Sequence, residues 1–248
     1  MPEVLETLSI LIPVFSPEEG YIILLLSTTA LFLVYYFRTK QFFFIRHGST
    51  VLNEMHIKQG IEGRLSEKGI AQTKQIGKYL ANFRIKKILA SPFKRTSETA
   101  EIIQKYLKVP IEYSPLLQER RNPSEILGKE KYDSEVKKVV GAIELSYHND
   151  GFRYSDEENF NDLKERSKKC LNFLERQWPS RICVVTHSSF LKILLSYILY
   201  RKDLHVSEYV KLNFFNEVDS GKVTVCEYSP WKSFFSKNRG WSIVSYNE

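Results

Sequence analysis

The sequence predicts an α/β fold, a three-layer αβα sandwich with a mostly parallel central sheet, preceded by an N-terminal apolar helix. Beyond residue 40, short apolar runs alternate with segments of helical periodicity, which is the pattern of βαβ units. One run, residues 182–186, is continuously apolar, as a strand buried on both faces should be. Residues 21–37 carry no charge and are long enough to form the separate helix.

Composition limits the class of protein. The 248 residues suit one sizeable domain with an appendage, and a hydrophobic content of 43% excludes a disordered chain. The net charge is +7, and residues 1–40 have a balance of −2, so the remainder carries +9. A basic domain attracts phosphorylated substrates, anionic lipid or nucleic acid. The three cysteines lack C-x-x-C spacing, which predicts inert thiols in a reducing compartment and no zinc site.

The N-terminal segment, residues 1–40, is predicted to anchor the chain in a membrane. As a helix, residues 21–37 would span about 25 Å, the short end of the transmembrane range. Arg38 and Lys40 follow the apolar run, so the positive-inside rule places the carboxyl side in the cytoplasm. The expected protein is single-pass, with residues 41–248 as a cytoplasmic domain.

Other arrangements of the apolar segments stay open. The helix could instead pack on the domain itself. Residues 4–15 are also apolar, which leaves room for a second interfacial or re-entrant piece. Three aromatic residues near the C-terminus belong either to the core or to a membrane contact: Trp231, Phe234 and Phe235.

Capping signals mark the elements in the first half of the domain. Ser66 and Ser91 are suitable N-caps, and Pro92 suits the first turn of a helix. The predicted order is a strand over 41–45, a helix over 66–83, a strand over 87–90 and a helix over 91–107.

Proline and turn residues mark the elements in the second half of the domain. The charged stretch at 120–156 is the least regular part of this half. Pro179 ends one helix, and Ser220-Gly221 predicts a turn between two strands. The predicted order is a helix near 130–147, a helix over 157–177, a strand over 182–186, a helix over 188–200 and strands near 209–214, 222–228 and 241–246.

Basic groups stand at the ends of three apolar runs. Arg46 and His47 end the first, Arg95 follows the second, and His187 ends the third. Ligands of open α/β sheets bind at the carboxyl ends of the strands, so these groups are expected to converge. Helices begin soon after the second and third runs, and the N–H groups at their starts favour an anion.

Two histidines and two arginines around one crevice suit a phosphoryl group. Arginine holds phosphate oxygens in a planar fork and stays charged. A neutral imidazole is a competent nucleophile toward phosphorus, and a second imidazole can stabilise the transferring group. The remaining requirement is a proton donor for the leaving oxygen, which a carboxyl group with a raised pKa can supply.

Five short blocks specify this chemistry further. In chain order they are Arg46-His47-Gly48-Ser49-Thr50-x-x-Asn53, then Gln59-Gly60 with Leu65-Ser66-Glu67-Lys68-Gly69-x-x-Gln72, then Ser91-Pro92-x-x-Arg95-x-x-x-Thr99-Ala100, then Leu117-Gln118-Glu119, and last Val184-Val185-Thr186-His187. Together they resemble the motifs of the histidine phosphatase superfamily, which includes the cofactor-dependent phosphoglycerate mutases. A lone Arg-His-Gly motif would be weak evidence for this resemblance, whereas five blocks in the family's order are specific evidence. The terminal strands extend the resemblance to about residue 246.

The resemblance implies catalytic roles for five residues. His47 would be the nucleophile and carry a phosphohistidine, and His187 would stabilise the transferring group. Arg46 and Arg95 would clamp the phosphoryl oxygens. Glu119 would protonate the leaving group and then act as the base for water. No metal and no cofactor are expected, because the arginines and histidines supply the charge stabilisation.

The same resemblance implies a set of substrate-binding residues. Asn53 would hydrogen-bond the phosphate, and Ser188 could offer its backbone N–H. Gly48 would let the chain turn where the phosphate comes close, and Ser49 and Gln59 complete the set.

Three positions complicate this assignment. Ser188 stands where the family often has glycine, and Arg64 replaces a common proline. Glu125 is a rival to Glu119 as the proton donor, although the Leu117-x-Glu119 pattern favours Glu119.

The predicted function is hydrolysis of a small phosphorylated metabolite by a membrane-tethered phosphatase. A mutase is the nearest alternative, but the family's mutases carry a longer insertion after the acid, and here 67 residues separate Glu119 from His187. A non-catalytic phospho-ligand scaffold is the second alternative. No nucleic-acid partner is expected, because the basic charge shows no groove-reading motif.

Other polar residues are expected on the surface. His56, His148 and His205 match no block, and residues 164–169 are expected to form a solvated helix face. Arg120 and Arg121 either recognise a second anionic group on the substrate or are solvated loop charges.

Overall fold

The structure, a computed structural model, describes residues 16–146, 149, 151–215 and 218–248. The chain divides into two compact units, and the second begins at Thr39. The possible interfacial piece at 4–15 lies outside the described residues, as does His148.

Helix α1 (Pro17–Phe37) belongs to the first unit. It begins four residues before the predicted start, because the Ser16 side chain caps it, Glu19 completes a capping box and a proline occupies the first position. Within the described residues it is the one helix long and apolar enough to cross a membrane, over Pro17–Val34. A signal sequence near an N-terminus has the same length and composition, so the helix alone is weak support for a span.

The second unit is built on a six-stranded sheet with the order β3-β2-β4-β1-β5-β6. The strands β1 to β4 run parallel, β5 is antiparallel to β1, and β6 is antiparallel to β5. Their bounds are β1 Lys40–Arg46, β2 Lys87–Ala90, β3 Ile111–Tyr113, β4 Arg181–Thr186, β5 Val223–Tyr228 and β6 Trp241–Ser245.

Helices cover both faces of this sheet. The helices of the second unit are α2 Val51–Glu54, α3 Glu67–Leu80, α4 Lys94–Leu107, α5 Ser134–Leu145, α6 Phe160–Glu175, α7 Ser188–Tyr200 and α8 Val206–Phe215. Successive side chains of a strand point to opposite faces, so the apolar run of β1 supplies both layers. Phe42 and Phe44 pack in the core with α6 and α7, while Phe43 and Ile45 pack with α3 and α4. The predicted three-layer fold with a mostly parallel sheet is confirmed.

One predicted strand is wrong, and one strand of the sheet was not predicted. Residues 209–214 lie in helix α8 and do not form a strand, because Val206 and Tyr209 are buried one helical turn apart. A short apolar run does not distinguish a helix from a strand by periodicity alone. The turn at Ser220-Gly221 therefore leads from a helix, not a strand, into β5. Strand β3 was missed because it has only three residues and none is buried.

Helix α3 lies so close to the loop after β1 that no side chain fits at Gly69. A Cβ atom there would lie 1.9 Å from the carbonyl oxygen of Ser49. At Gly48 it would lie 2.6 Å from the carbonyl oxygen of Gly69, and Gly48 has no positive φ. Packing against α3 therefore requires glycine at position 48, whereas a positive φ does not.

Gly69→Ala should lower the free energy of unfolding by about 1–3 kcal/mol, because the backbone of the loop must move to admit the methyl group. Urea denaturation measures the change. Gly141→Ala is the matched control, since Gly141 lies in α5 and a Cβ atom added there would have no neighbour within 4 Å. The control should gain about 0.5–1 kcal/mol from helix propensity. Equal unfolding midpoints for Gly69→Ala and the wild type would show that the loop has room.

The three cysteines are all buried and free. Cys170 lies in α6, Cys183 in β4 and Cys226 in β5. Burial raises the pKa of each thiol, that of Cys170 to about 12. The thiols therefore stay protonated in the folded domain.

Candidate active site

A cavity of about 340 Å³ opens beside the carboxyl end of β1. This volume is within the range of small-molecule sites. Its lining is mostly polar and consists of Arg46, His47, Asn53, Ile57, Lys58, Gln59, Arg95, Glu119, Asn122, Lys131, Ser188, Ser189, Lys192, Val218 and Asp219.

Most of the residues selected from the sequence lie around this cavity. The exceptions among them are His187, Gly48 and Ser49. His187 is fully buried behind Arg95. Gly48 and Ser49 instead contact helices: the Gly48 N–H donates to Thr99 Oγ1, and the Ser49 N–H donates to Gln72 Oε1.

Arg95 joins the two histidines. It follows Phe93 in the first turn of α4 and is almost completely buried. Its Nε–H lies 3.2 Å from His47 Nε2 and 3.2 Å from His187 Nδ1, and its Nη1 donates to the Gly60 carbonyl at 2.7 Å. Three side chains from separate segments of the chain therefore meet around one guanidinium nitrogen.

Hydrogen bonds define the tautomers of both imidazoles. His47 Nδ1 lies 2.8 Å from the Gly48 carbonyl oxygen, so this nitrogen carries the hydrogen and Nε2 keeps its lone pair. His187 accepts from Arg95 at Nδ1, and its Nε2 donates to Ser91 Oγ at 2.8 Å. Each ring is neutral in this arrangement.

Ser91 therefore has a different role from the predicted one of a helix cap. It was expected to cap a helix, but α4 begins at Lys94, and Phe93 in the cap position makes no side-chain cap. The Ser91 N–H continues the sheet by donating to the Val185 carbonyl, while its hydroxyl holds His187.

Burial is the main cause of the electrostatic state of the histidines. It lowers the pKa of His47 well below the usual 6.5, and the positive charges of Arg95 and then Arg46 lower it further. Burial and then Arg95 likewise lower the pKa of His187. Burial also lowers the pKa of Arg95 to about 10, which still leaves the guanidinium charged at neutral pH.

These depressed pKa values predict an acid-sensitive fold. The unfolded chain takes up protons at these histidines near pH 6.5, whereas the folded protein does not, so their contribution to stability is complete above pH 6.5 and is lost as the pH falls below it. Each histidine should contribute at most about 1.4 kcal/mol per pH unit to the slope of the free energy of unfolding against pH. Urea unfolding in phosphate-free buffer from pH 7.5 to 5, roughly spanning the titration of a free imidazole, should therefore give a flatter profile for His187→Asn than for the wild type. Parallel profiles below pH 6.5 would contradict the buried, neutral state of His187.

Glu119 occupies the amino end of helix α7. Its carboxylate accepts the Phe190 N–H at 2.9 Å and the Ser189 N–H at 3.3 Å. The sequence predicted an anion at this helix start, and the N–H groups of Ser189 and Phe190 are in fact occupied by the protein's own carboxylate. The contact fixes Glu119 at the wall of the cavity.

Arg166 supports the segment that carries Glu119, a role that no pattern in the sequence indicates. Its Nη1 donates to the carbonyl oxygens of Leu116 and Gln118, and its guanidinium forms a bidentate ion pair with Glu158 at 2.7 Å. It also lies 3.9 Å over the ring of Phe190. The expectation of a solvated face at 164–169 was wrong for this residue, because the turn of chain at 116–119 packs on it.

Arg166→Met should lower kcat by about 10- to 100-fold with a smaller effect on KM, because the carboxyl group of Glu119 would lose its fixed position. Steady-state kinetics with an aryl phosphate measure the split. Lys168→Met is the control, since Lys168 lies on the same helix with its side chain 54% exposed. A loss confined to thermal stability, with kcat unchanged, would leave Arg166 only a structural role.

Asn53 and Gln59 are tied together through Thr50. Asn53 Oδ1 accepts from the hydroxyl and the N–H of Thr50, and the Thr50 hydroxyl also lies 3.0 Å from Gln59 Oε1. These contacts use the oxygen of each amide, and both side chains line the cavity.

The remaining candidates have different surroundings. Arg46 is half-buried, and its Nη1 donates to the Val218 carbonyl at 2.8 Å. Glu125 is exposed and does not line the cavity. His56 and His205 are exposed, as expected. Across the described part of the chain, no cluster of His, Cys, Asp or Glu has the arrangement of a metal site.

Known proteins resemble this chain in sequence and in fold. The protein named "Probable phosphoglycerate mutase GpmB" of Erwinia tasmaniensis is 31% identical over 167 residues, which are 64% of this chain and 74% of that protein. The mycobacterial glucosyl-3-phosphoglycerate phosphatase has a TM-score of 0.66 at 17% identity, with 84% of this chain and 99% of that chain covered. The alpha-ribazole phosphatase of Shigella flexneri has a TM-score of 0.67 at 18% identity, with 84% and 96% covered.

The two structural matches show the fold alone, whereas the sequence match is specific to a family. The family model that matches is described as histidine phosphatase superfamily, branch 1, and it covers residues 42–237. That span includes every side chain around the cavity described above. The chain therefore belongs to the histidine phosphatase superfamily, branch 1.

Proposed function

We propose that this chain hydrolyses phosphomonoesters through a phosphohistidine on His47. The observation that carries the proposal is the contact of one arginine nitrogen with both His47 Nε2 and His187 Nδ1, each at 3.2 Å. A guanidinium and two neutral imidazoles at one point can bind a phosphoryl group, attack it and stabilise its charge.

In the first step, the lone pair of His47 Nε2 attacks phosphorus and the bond from phosphorus to the leaving oxygen breaks. Glu119, once protonated, gives its proton to that oxygen. In the second step, water attacks phosphorus, the N–P bond breaks, and Glu119 takes the proton released by water. Arg46 and Arg95 hold the phosphoryl oxygens throughout, and His187 donates to the transferring group after its ring shifts from Ser91.

The substrate proposed is a small phosphorylated metabolite. The cavity of about 340 Å³ suits a molecule of that size, and its lining is polar. The two structural relatives described above are named as a glucosyl-3-phosphoglycerate phosphatase and an alpha-ribazole phosphatase.

A phosphoglycerate mutase-type transferase is the second candidate, and the name of the Erwinia relative favours it. The two activities differ in the fate of the phosphohistidine, which water hydrolyses in a phosphatase and a second substrate hydroxyl accepts in a mutase. Phosphate release from phosphoglycerate should be measured with and without a bisphosphorylated primer. Net phosphate release without primer supports the phosphatase, and primer-dependent isomerisation without release overturns it.

We also propose that helix α1 tethers the domain to the cytoplasmic face of a membrane. Three hydroxyl groups within its apolar stretch donate to carbonyls of the preceding turn: Ser27 and Thr28 to Leu24, and Thr29 to Leu25. Polar groups satisfied within the helix are compatible with a hydrocarbon environment. Outside the helix, Trp231, Phe234 and Phe235 are 42%, 67% and 86% exposed, which excludes them from the core and supports a membrane contact.

Carbonate extraction of the full-length protein from cell membranes tests the tether. Retention in the membrane fraction is expected, and release into the soluble fraction would overturn it. Protease protection in sealed inverted vesicles separates the two orientations, because a cytoplasmic domain is digested there.

A further inference from the structure

Two short segments pair beside the cavity and bring two lysines to its wall. Ile57 forms a bridge with Glu130, the Lys58 N–H donates to the Lys129 carbonyl at 2.9 Å, and the Lys131 N–H donates to the His56 carbonyl at 2.8 Å. In this antiparallel pairing Lys58 and Lys131 are diagonal neighbours on one face, a spacing of about 7–8 Å. Both line the cavity that holds His47.

The cavity carries more positive charge than one phosphoryl group uses. Five arginines and lysines and two acidic residues line it, and the proposed mechanism assigns only Arg46 and Arg95 to the phosphoryl oxygens. In the described part of the chain, neither Lys58 nor Lys131 has a carboxylate within ion-pair distance. The lysines are therefore available to a ligand.

A third cation lies close to this pair. Arg120 follows Glu119 directly, and its Nε is buried without a hydrogen-bond partner among the described residues. It lines a second cavity that shares Arg95, Glu119 and Gln59 with the first. Burial lowers the pKa of Lys58 below its usual 10.5, and the charges of Lys131 and Arg120 lower it further, whereas Glu144 and Glu119 act in the opposite direction. Lys131 and Arg120 are thus each near enough to Lys58 to repel its charge.

Like charges held close together cost free energy, and a bound anion relieves that cost. We propose that Lys58 and Lys131, with Arg120 beside them, form a second anion subsite, so that the substrate is a phosphomonoester bearing a further carboxylate or phosphate group. This rests on the proposed function, because the phosphoryl group to be transferred occupies the site at His47. The subsite would select among phosphomonoesters by the charge of the leaving group.

A matched substrate series tests the subsite. Hydroxyethyl phosphate, phosphoglycolate and ethanediol bisphosphate share a two-carbon skeleton and differ in whether the second group is neutral, a carboxylate or a phosphate. We expect kcat/KM to be about tenfold or more higher for at least one anionic substrate than for the neutral one. The better of the two anions identifies the second group, and the preference should weaken as salt is added.

Substitutions locate the preference in the two lysines. Lys58→Met and Lys131→Met should each reduce the selectivity ratio toward one, while Lys58→Arg should retain most of it. Lys138→Met is the control, because Lys138 is exposed on α5 and does not line the cavity. Equal kcat/KM for neutral and anionic substrates in the wild type, or an unchanged ratio in both methionine variants, would overturn the subsite.

Hydrolysis of phenyl phosphate separates this inference from the proposed function. If the wild type hydrolyses phenyl phosphate but shows no anionic preference, the subsite fails and the function stands. If the wild type hydrolyses none of these substrates, calorimetry should measure the binding of the same series to His47→Ala. This measurement tests the anion subsite without relying on hydrolysis. A tighter anionic ligand supports it there, and equal affinities overturn it.

Discussion

His47→Ala should lower kcat for phenyl phosphate by about 10⁴-fold or more, because the mechanism has no other nucleophile at phosphorus. The imidazole is buried and neutral, and its hydrogen bond to the Gly48 carbonyl puts the hydrogen on Nδ1. The Nε2 lone pair, which accepts from Arg95 Nε in this structure, attacks when phosphoryl oxygens take over that donor. A methyl group offers neither a nucleophile nor a site for the covalent intermediate. Steady-state hydrolysis measures the loss, and an alkaline quench of the wild type should trap the phosphohistidine.

The control for this change is His205→Ala, which removes an exposed imidazole far along the chain. It should hydrolyse phenyl phosphate at the wild-type rate. His187→Ala should fall between the two, because that ring stabilises charge without forming a bond to phosphorus. Hydrolysis by His47→Ala at even one-tenth of the wild-type rate would make the phosphohistidine mechanism untenable.

Arg95→Lys should lower kcat/KM by about 10²- to 10³-fold, because the transferring phosphoryl group would lose a buried hydrogen-bond donor as its negative charge develops. One guanidinium now contacts His47, His187 and the Gly60 carbonyl together. A lysine ammonium carries the same charge but lacks the planar fork, so it cannot hold two imidazoles and phosphoryl oxygens at once. The measurement is kcat/KM with phenyl phosphate, together with the affinity for inorganic phosphate.

Arg176→Lys makes the same chemical change at an exposed position just after α6 and should leave both quantities unaltered. Circular dichroism of Arg95→Lys distinguishes a lost contact from a lost fold. Retention of more than about a tenth of the wild-type kcat/KM would mean that charge alone, without the fork, is sufficient.

The sequence was informative about this site where a residue's place follows from its neighbours in the chain. Arg46 and His47 come directly after an apolar strand, so their position at the sheet edge follows from the strand itself. His187 follows β4 for the same reason. The two-sided burial of β1 also follows from its uninterrupted apolar run, which supplies both helical layers.

Residues whose neighbours come from distant segments were not predictable in this way. In the sequence, Arg166 is one of several charged residues in a polar helix. Its role in supporting Glu119 follows only from the packing of the chain at 116–119 against it. Lys58 and Lys131 lie in segments without strand character, and they meet through a bridge of one residue pair. Helix α8 was mistaken for a strand because its apolar residues are too few to define a period.

Burial of the three thiols should protect them from thiol-directed reagents while the domain is folded. Peroxide and alkylating reagents attack the thiolate, which burial suppresses at Cys170, Cys183 and Cys226. The proposed nucleophile is a ring nitrogen, so such reagents should spare hydrolysis that would be lost in a phosphatase with a cysteine nucleophile. Each thiol becomes reactive only when the sheet or α6 opens. The rate at which these thiols are alkylated therefore reports how often the domain opens. It can be measured in whole cells without an engineered label.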